Sequence, residues 1–393
     1  MSSELSPATA TSLLEYFERQ TSSVIQLSRA LVEVESPSGD LAGSRGVVDL
    51  LAEAARKIDG VTSIERIPAG DEYGEHLRVE AFRKDSVTEE TRTTLLLGHT
   101  DTVHPRGSLQ ERPWREEGER IYGPGIFDMK ANCALALEVL RACSALALNP
   151  PRPVILLLTC DEETGSFTGR ALVETEARRA ASVLVLEPPA PGGRVKTNRK
   201  GTAGYTITAL GRAAHAGLEP EKGASAILEI ARQIERLHAM NDPARGTTLN
   251  VGVVCGGTRS NVVAAEARAE VDVRFSTVAE ANRLENVLLN LCPVDERVRI
   301  SVEGEINRPP LERTKAVAVL YHHARSIAAA LDFELGETSV GGASDGNFAA
   351  AVGASVLDGL GIDGDGAHAA HEHIIAGDIA RRGALLAGLI ATL

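Results

Sequence analysis

The sequence predicts an α/β fold: a mixed sheet with helices on both faces, interrupted by an inserted α+β domain of the ferredoxin-like kind. Three observations carry this. The runs TTLLLG at 93–98, VILLLT at 154–159 and VLVL at 183–186 are almost unbroken in apolar character and alternate with helical segments. Strands with no polar face belong to a sheet covered on both sides. Between about 201 and 309 the pattern shifts to polar–apolar alternation in the order β-α-β-β-α-β, the split βαβ unit. After Arg308-Pro309-Pro310 the earlier pattern resumes.

Each element has its own signal. Residues 8–36 place apolar side chains at helical spacing and stop near Ser36-Pro37-Ser38-Gly39, where Pro and Gly break a helix. A second helix covers about 44–58. Met129–Leu148 is a long Ala/Leu-rich helix, and 167–179 is another. In the middle, Thr202–Leu210, Thr248–Val254, Ala264–Phe275 and Arg297–Val302 read as strands, with helices at Ala224–Met240 and Ala279–Leu291. The last part holds a helix at 314–331, a glycine-rich loop, a strand at 354–358 and a helix at about 377–392. The simplest arrangement is a discontinuous domain, 1–200 with 310–393, carrying an insert at 201–309.

Composition narrows the partners. The 393 residues carry 41 Lys plus Arg against 54 Asp plus Glu, a net charge of −13. That balance argues against nucleic acid as the main partner and, more weakly, against an anionic membrane surface. No run reaches the roughly 18–20 apolar residues of a membrane span. The N-terminal MSSELSPATATSLLEYFERQ shows no basic start followed by an apolar core, so no signal peptide is expected. Cys133, Cys143, Cys160, Cys255 and Cys292 form no CxxC pair. They are expected as buried free thiols in a reducing compartment, hence a cytoplasmic location.

Ionisable residues gather at the carboxyl ends of the predicted strands. His99 and Asp101 follow TTLLLG, Asp161, Glu162 and Glu163 follow VILLLTC, and Glu187 follows VLVL. Asp128 precedes the Met129 helix, and His368 lies in the glycine-rich GIDGDGAH. Ligands of open α/β sheets bind beyond these strand ends. Taken singly, a carboxylate pair after a strand is an ordinary helix cap or solvated loop, and a lone His-x-Asp is structural. Their convergence on one edge speaks for a site. Two imidazoles and three carboxylates can hold two zinc-type ions with one carboxylate bridging. His99 and Asp101 share a face at the two-residue period of a strand, so Asp101 is a candidate to orient His99. One of Glu162 and Glu163 can serve as ligand and the other as base.

GHTDTV at 98–103, GPGIFDMK at 123–130, DEETG at 161–165, LEP at 186–188 and GAH at 366–368 together resemble the co-catalytic zinc aminoacylase/carboxypeptidase family. That family includes glutamate carboxypeptidase, acetylornithine deacetylase and succinyl-diaminopimelate desuccinylase. The resemblance spans nearly the whole chain and is nearest to the glutamate carboxypeptidase branch. It implies a zinc exopeptidase-like domain whose insert is a lid and dimerisation domain. It implies two Zn2+ per chain, with Co2+ or Mn2+ as substitutes. Asp128 would bridge them, His99 and Glu187 would complete one position, and Glu163 and His368 the other. Glu162 would be the general base and Asp101 the group orienting His99. His215 in GRAAHAG would reach a partner subunit's site in a homodimer and stabilise the oxyanion. Asn261, Arg274 and the loop around Gly342 would contact substrate.

The chain departs from the family pattern at Ala131-Asn132, where two glycines are usual, and at Ala264, where proline is usual. The implied function is hydrolysis of the amide bond of N-acyl amino acids or small peptides with a free carboxylate, or else deacylation or dipeptide cleavage. A non-catalytic protein on the same fold would be expected to have lost ligands or the base. A nucleotide-binding enzyme would need a GxGxxG loop after the first strand or a GxxxxGK[ST] loop, and neither is present. His104, His322 and His323 are expected as surface or packing residues. Lys200 is expected in a solvated turn, and Trp114 as a packing anchor.

Overall fold

Every residue of Thr93–His99 and of Val154–Thr159 is buried, so both faces of these strands are covered, as their unbroken apolar runs require. The computed structural model describes residues 4–84 and 91–393. Along the chain run α1 (Pro7–Glu33), α2 (Leu41–Arg56), β1 (Val61–Pro68), β2 (Glu75–Ala81), β3 (Thr93–His99), β4 (Arg115–Glu117), β5 (Arg120–Tyr122), α3 (Ala131–Ala145), β6 (Val154–Thr159), α4 (Arg170–Arg179) and β7 (Ala180–Val185). Then follow β8 (Gly201–Leu210), α5 (Ala226–His238), β9 (Thr248–Gly256), β10 (Glu266–Phe275), α6 (Val278–Leu289) and β11 (Arg299–Arg308). The chain closes with α7 (Lys315–Ala330), β12 (Val356–Leu357), β13 (Gly364–Asp365), β14 (His373–Ile375) and α8 (Ile379–Thr392). It divides into two units: Met1–Thr197 with Arg313–Val340 and Ser344–Leu393, and Asn198–Glu312 with Gly341–Ala343.

The first unit is built on a mixed sheet in the order β1-β2-β6-β3-β7-β12. β3 runs parallel to β6 and β7, and β12 parallel to β7, while β2 pairs antiparallel with β6 and with the edge strand β1. β1 carries VTSIERIP and is largely exposed. A solvent-facing edge strand needs no apolar run, which is why the sequence did not single it out. α1 buries Leu13, Phe17, Val24 and Leu31 on one stripe and begins with Ser6 Oγ accepting the Thr9 N–H at 3.1 Å, a side-chain cap. It lies close to α8: a Cβ on Gly383 would sit 2.3 Å from the Phe17 ring. α3 is buried almost all round, and its one deeply buried acid, Glu138, accepts the Tyr16 hydroxyl at 2.7 Å.

The long helix expected from Met129 starts at Ala131. Asp128 (φ −117°, ψ 89°) and Met129 (φ −140°, ψ 36°) leave helical geometry and form a turn that presents Asp128. The Asp128–Met129 peptide is cis. Asn132 is fully buried. Its Oδ1 accepts the Ile362 N–H at 2.9 Å and its Nδ2 donates to Phe127 O at 3.3 Å. Gly361 makes room for it, because a Cβ there would lie 2.3 Å from Asn132 Nδ2.

The second unit is an antiparallel sheet in the order β9-β10-β8-β11. β10 alternates strictly between exposed and buried over most of its length, as a sheet with one wet face does. Tyr205, Ile207, Val271, Val273 and Phe275 form a core with Ile230 and Leu237 of α5 and with Leu284 and Leu288 of α6. Cys133, Cys143 and Cys160 are buried free thiols, whereas Cys255 and Cys292 are free but exposed. Among the described residues no helix is long and apolar enough to cross a membrane.

Candidate metal centre

Strand register brings the chemistry to one edge. His99 at the end of β3 pairs with Thr159 at the end of β6. Leu97 pairs with Val185 of β7, and the Leu186 N–H continues the ladder to Leu97 O at 2.8 Å. Residues just past these ends, Glu162, Glu163 and Glu187, therefore lie level with His99. The strand stops at His99, the Thr100 N–H still bonds Thr159 O at 2.8 Å, and Thr102 bridges Pro37, so Asp101 meets the imidazole two residues beyond the strand. His99 Nδ1 lies 3.0 Å from Asp101 O and 3.4 Å from Asp101 Oδ1. Those acceptors call for a proton on Nδ1, so that in a metal-bound centre Nε2 would be the ligating atom.

Asp101 does more than orient one ring. Its Oδ1 accepts the Glu162 N–H at 3.2 Å, and its Oδ2 accepts the Glu163 N–H at 3.1 Å and the Ser38 hydroxyl at 2.6 Å. One buried carboxylate thus holds the turn that carries both glutamates. The neighbouring Asp161 ties the turn after β6 to the segment before α4. It accepts the Thr168 and Gly169 N–H groups at 2.6 and 3.3 Å, just before α4. His76, which has no companion motif in the sequence, buttresses the same segment. Its Nδ1 accepts the Cys160 N–H at 3.2 Å and its Nε2 meets Thr168 Oγ1 at 3.0 Å, and burial pushes its pKa down.

The five candidate ligands meet around Asp128. Asp128 Oδ1 lies 3.1 Å from His99 Nε2, and Oδ2 lies 3.5 Å from His368 Nε2. Glu187 Oε1 is 3.5 Å from His99 Nε2, and Glu163 Oε2 is 3.1 Å from His368 Nε2. The contacts form two groups that share Asp128. Donor atoms of His99, Asp128 and Glu163 all lie within 4.8 Å of one another. Zinc–ligand bonds of about 2.0–2.1 Å in a tetrahedron set neighbouring donors about 3.3 Å apart, so the spacing and the nitrogen–oxygen chemistry fit a bound metal pair.

The electrostatics point the same way. Burial works against charge on His99, yet hydrogen bonds to Asp101, Asp128 and Glu187 outweigh it and hold its pKa well above the usual imidazole value. Hydrogen bonds to Asp128 and Glu163 push His368 up to about 10. Burial opposes ionisation of Asp128, but the hydrogen bonds from His368 and His99 carry its carboxyl far below the usual range. Burial raises Glu163. Three carboxylates around two imidazoles create a demand for positive charge, which protons or metal cations satisfy in competition.

Other expectations fall as follows. Glu162 is buried on the turn after β6. His215 is exposed in the second unit, and its Nδ1 accepts the Gly217 N–H at 3.2 Å, which leaves Nε2 as a donor. The Ala216 N–H donates to Asn261 O at 3.0 Å, so the His215 and Asn261 segments adjoin. Arg274 has its Nε and one terminal nitrogen on Asp272 at 2.8 and 2.9 Å. Gly342 O accepts from Arg199 at 3.3 Å within the second unit. Lys200 is partly buried and reaches Thr248 Oγ1 at 3.3 Å. His104, expected as a surface or packing residue, is buried, and its Nε2 meets Glu372 Oε2 at 2.5 Å. His322 is exposed, whereas His323 bonds Thr392 at 2.8 Å. Trp114 is partly buried against the main core.

The sequence profile of peptidase family M20/M25/M40 matches residues 95–392. Carboxypeptidase G2 of Pseudomonas sp. (strain RS-16) is 29% identical over 381 residues, covering 94% of this chain and 89% of that protein. Succinyl-diaminopimelate desuccinylase of Alkalilimnicola ehrlichii is 29% identical over 379 residues, covering 91% of this chain and 96% of that protein. Among solved structures, aminopeptidase PepT of Bacillus cereus superposes with a TM-score of 0.75 at 20% identity, over 94% of this chain and 98% of that one. The YxeP protein of Bacillus subtilis, described as a dinuclear metal binding peptidase, gives 0.69 at 12% identity, over 95% and 98%. These two structures share the fold.

Proposed function

The chain belongs to peptidase family M20/M25/M40 and is a hydrolase of that metal-dependent family; from that premise we propose that it cleaves the amide bond of N-acyl amino acids or small peptides bearing a free carboxylate, as a two-zinc carboxypeptidase. The observation that carries the two-metal reading is Asp128, with one carboxylate oxygen toward His99 and the other toward His368. The likeness to carboxypeptidase G2 over most of both chains supports the carboxypeptidase reading. Acyl-amino-acid deacylation is the second reading, favoured by the equally extensive likeness to a desuccinylase.

In this proposal Asp128 is shared, His99 and Glu187 complete one metal position, and Glu163 and His368 the other. Bound metal supplies an electrophile for the scissile carbonyl and lowers the pKa of the attacking water. Glu162 takes the proton from that water and returns it to the leaving amine. Asp101 keeps His99 in the tautomer that leaves Nε2 open and keeps Glu162 on its turn. His215, contributed by a second copy of the chain, donates from Nε2 to the developing oxyanion. Asn261, Arg274 and the Gly342 loop hold the substrate, and Arg274 takes the free carboxylate by sharing or releasing Asp272. The inserted segment 201–309 acts as lid and homodimer contact, and 1–200 with 310–393 as the catalytic domain. The buried free thiols support a cytoplasmic setting.

The test is amide hydrolysis by the zinc-loaded protein on N-acyl and folate-type glutamates, N-acetylornithine, succinyl-diaminopimelate, other N-acyl amino acids and dipeptides, with and without chelator. Chelator-sensitive release from the glutamate class is the expected result. Release only from the deacylase substrates would move the reading to the second class. Two bound metals with no release from any substrate would place the substrate outside all these classes.

A further inference from the structure

Glu372 lies four residues after His368 and is buried, 3% exposed. A carboxylate taken out of water needs donors, and this one has four. Oε1 accepts the Phe127 N–H at 2.9 Å and the Asp128 N–H at 3.0 Å. Oε2 accepts the Gly125 N–H at 2.8 Å and meets His104 Nε2 at 2.5 Å. Three backbone donors from one turn converge on a single side chain from a loop more than 240 residues away. The backbone adds one more tie, from the Gly123 N–H to Glu372 O at 3.4 Å, and His373 pairs with Tyr122 in the β14–β5 ladder. Arg112 lies 3.4 Å from His104 Nδ1. An acceptor role for Nδ1 puts the ring proton on Nε2, facing Glu372.

This clamp joins the two segments that face each other across the candidate metal centre. The Asp128 N–H is one of its donors, so the clamp sets the peptide plane from which the shared carboxylate projects. The other segment carries His368. Its backbone is in the left-handed region, φ 64°, and its side chain is about half exposed, 52%. Little surrounding packing fixes that imidazole, so its position relative to Asp128 depends on how the loop is tied down. Glu372 ties it at the next turn.

We infer that Glu372 is a positioning residue for the metal centre, holding the Asp128 turn and the His368 loop at one spacing, with His104 as its side-chain donor. The inference rests on the proposed metal reading. It assigns to Glu372 and His104 a task in metal retention, carried out through Asp128 and His368.

The experiment compares full-length wild type, Glu372→Gln, His104→Ala and His104→Gln. Zn2+ affinity is measured by competition with a chromophoric chelator, metal stoichiometry by elemental analysis, and folding of the metal-free proteins by circular dichroism and thermal melting. Groups behind metal ligands change affinity by about 10–100-fold when lost, and that loss is expected for Glu372→Gln, whose amide N–H groups would face the backbone donors. His104→Ala leaves the three backbone donors and should weaken binding by a smaller factor. His104→Gln restores a side-chain N–H and should recover affinity to within a few-fold of wild type. A folded Glu372→Gln that binds Zn2+ as tightly as wild type overturns the inference. If that variant does not fold, unchanged Zn2+ affinity in folded His104→Ala overturns it instead. A folded wild type that takes up no metal removes the metal reading itself, and the inference with it.

Discussion

Replacing Asp101 with Asn removes one acceptor oxygen at almost constant volume. In the native site two oxygens serve four donors: Oδ2 takes the Ser38 hydroxyl and the Glu163 N–H, and Oδ1 takes the Glu162 N–H and faces His99 Nδ1. Asn keeps one oxygen and turns an NH2 group toward the rest. If the NH2 lies on the Ser38 side, the hydroxyl can rotate and accept from it, but the Glu163 N–H loses its partner. If it lies on the other side, the Glu162 N–H and the His99 ring lose theirs. At least one hydrogen bond to a charged group goes unrecovered either way, at a cost of about 1.5–3 kcal/mol. Part of that falls on the fold and part on the proposed metal ligands, because the same turn carries Glu163 and the same ring is His99. The expected result is Zn2+ affinity lowered about 10–100-fold, with kcat at saturating zinc reduced less than affinity. Chelator competition gives the affinity, and steady-state kinetics across a zinc titration gives kcat. A variant with wild-type zinc affinity and a wild-type melting temperature would show that Asp101 supports neither the turn nor the imidazole.

Three further outcomes follow from particular contacts. Glu162→Gln should lose at least about 100-fold in kcat, the scale of general-base catalysis, while keeping its full metal content; near wild-type turnover would assign the base elsewhere. Gly361→Ala should lower stability by about 1–3 kcal/mol, the range for overpacking, since the new Cβ would meet Asn132 Nδ2 at 2.3 Å and backbone Leu186 O at 2.7 Å; an unchanged midpoint in urea unfolding would contradict that close approach. In the second unit, the Arg283 hydrogen bond, followed by the Thr247 hydroxyl, brings Glu280 from 4.5 down to about 2. A carboxylate depressed on folding contributes stability above its unfolded pKa, and that contribution fades as pH falls toward the folded value. With Arg283 partly exposed and screened, Glu280→Gln should cost about 1–2 kcal/mol at pH 7 and progressively less between pH 4.5 and 2. A difference that stays constant across that window would contradict the argument.

His99, Glu163 and Glu187 stood out as candidates because each follows an apolar run that announces a strand end, whereas Asp128, before a helix, and His368, in a glycine-rich loop, carry no such signal and took their roles from the family resemblance. The position of His99 followed from TTLLLG, and parallel strands held in register present such ends along one edge. The parts that were not legible are polar contacts between distant segments. His104 sits in HTDTVHP with no repeat or spacing to mark it, and was expected at the surface or in packing. Its partner Glu372 lies in AAHEH, where three ligand-type residues in a row obscure which is buried. Asp101 was expected beside His99 from strand periodicity; it lies beside the ring, but two residues past the end of β3. The edge strand β1 escaped notice because none of its residues is buried, and its neighbour β2, though mostly buried, because charged residues interrupt EHLRVEA, so neither carries a continuous apolar signal.

What the sequence determined by itself is the kind and order of the apolar strands and the long helices, the β-α-β-β-α-β pattern of the insert, and the residue types available for a metal centre. These follow from local periodicity and from side-chain chemistry, both of which are properties of neighbouring residues. The tertiary structure alone decided how the centre is held. The Asp128 turn replaces the first residues of the expected helix, one buried carboxylate at Asp101 serves four donors, and Glu372 closes on three backbone N–H groups from the far side of the chain. A buried polar group must find its donors wherever the folded chain places them. That placement depends on the closure of segments hundreds of residues apart, for which no local pattern in the sequence exists.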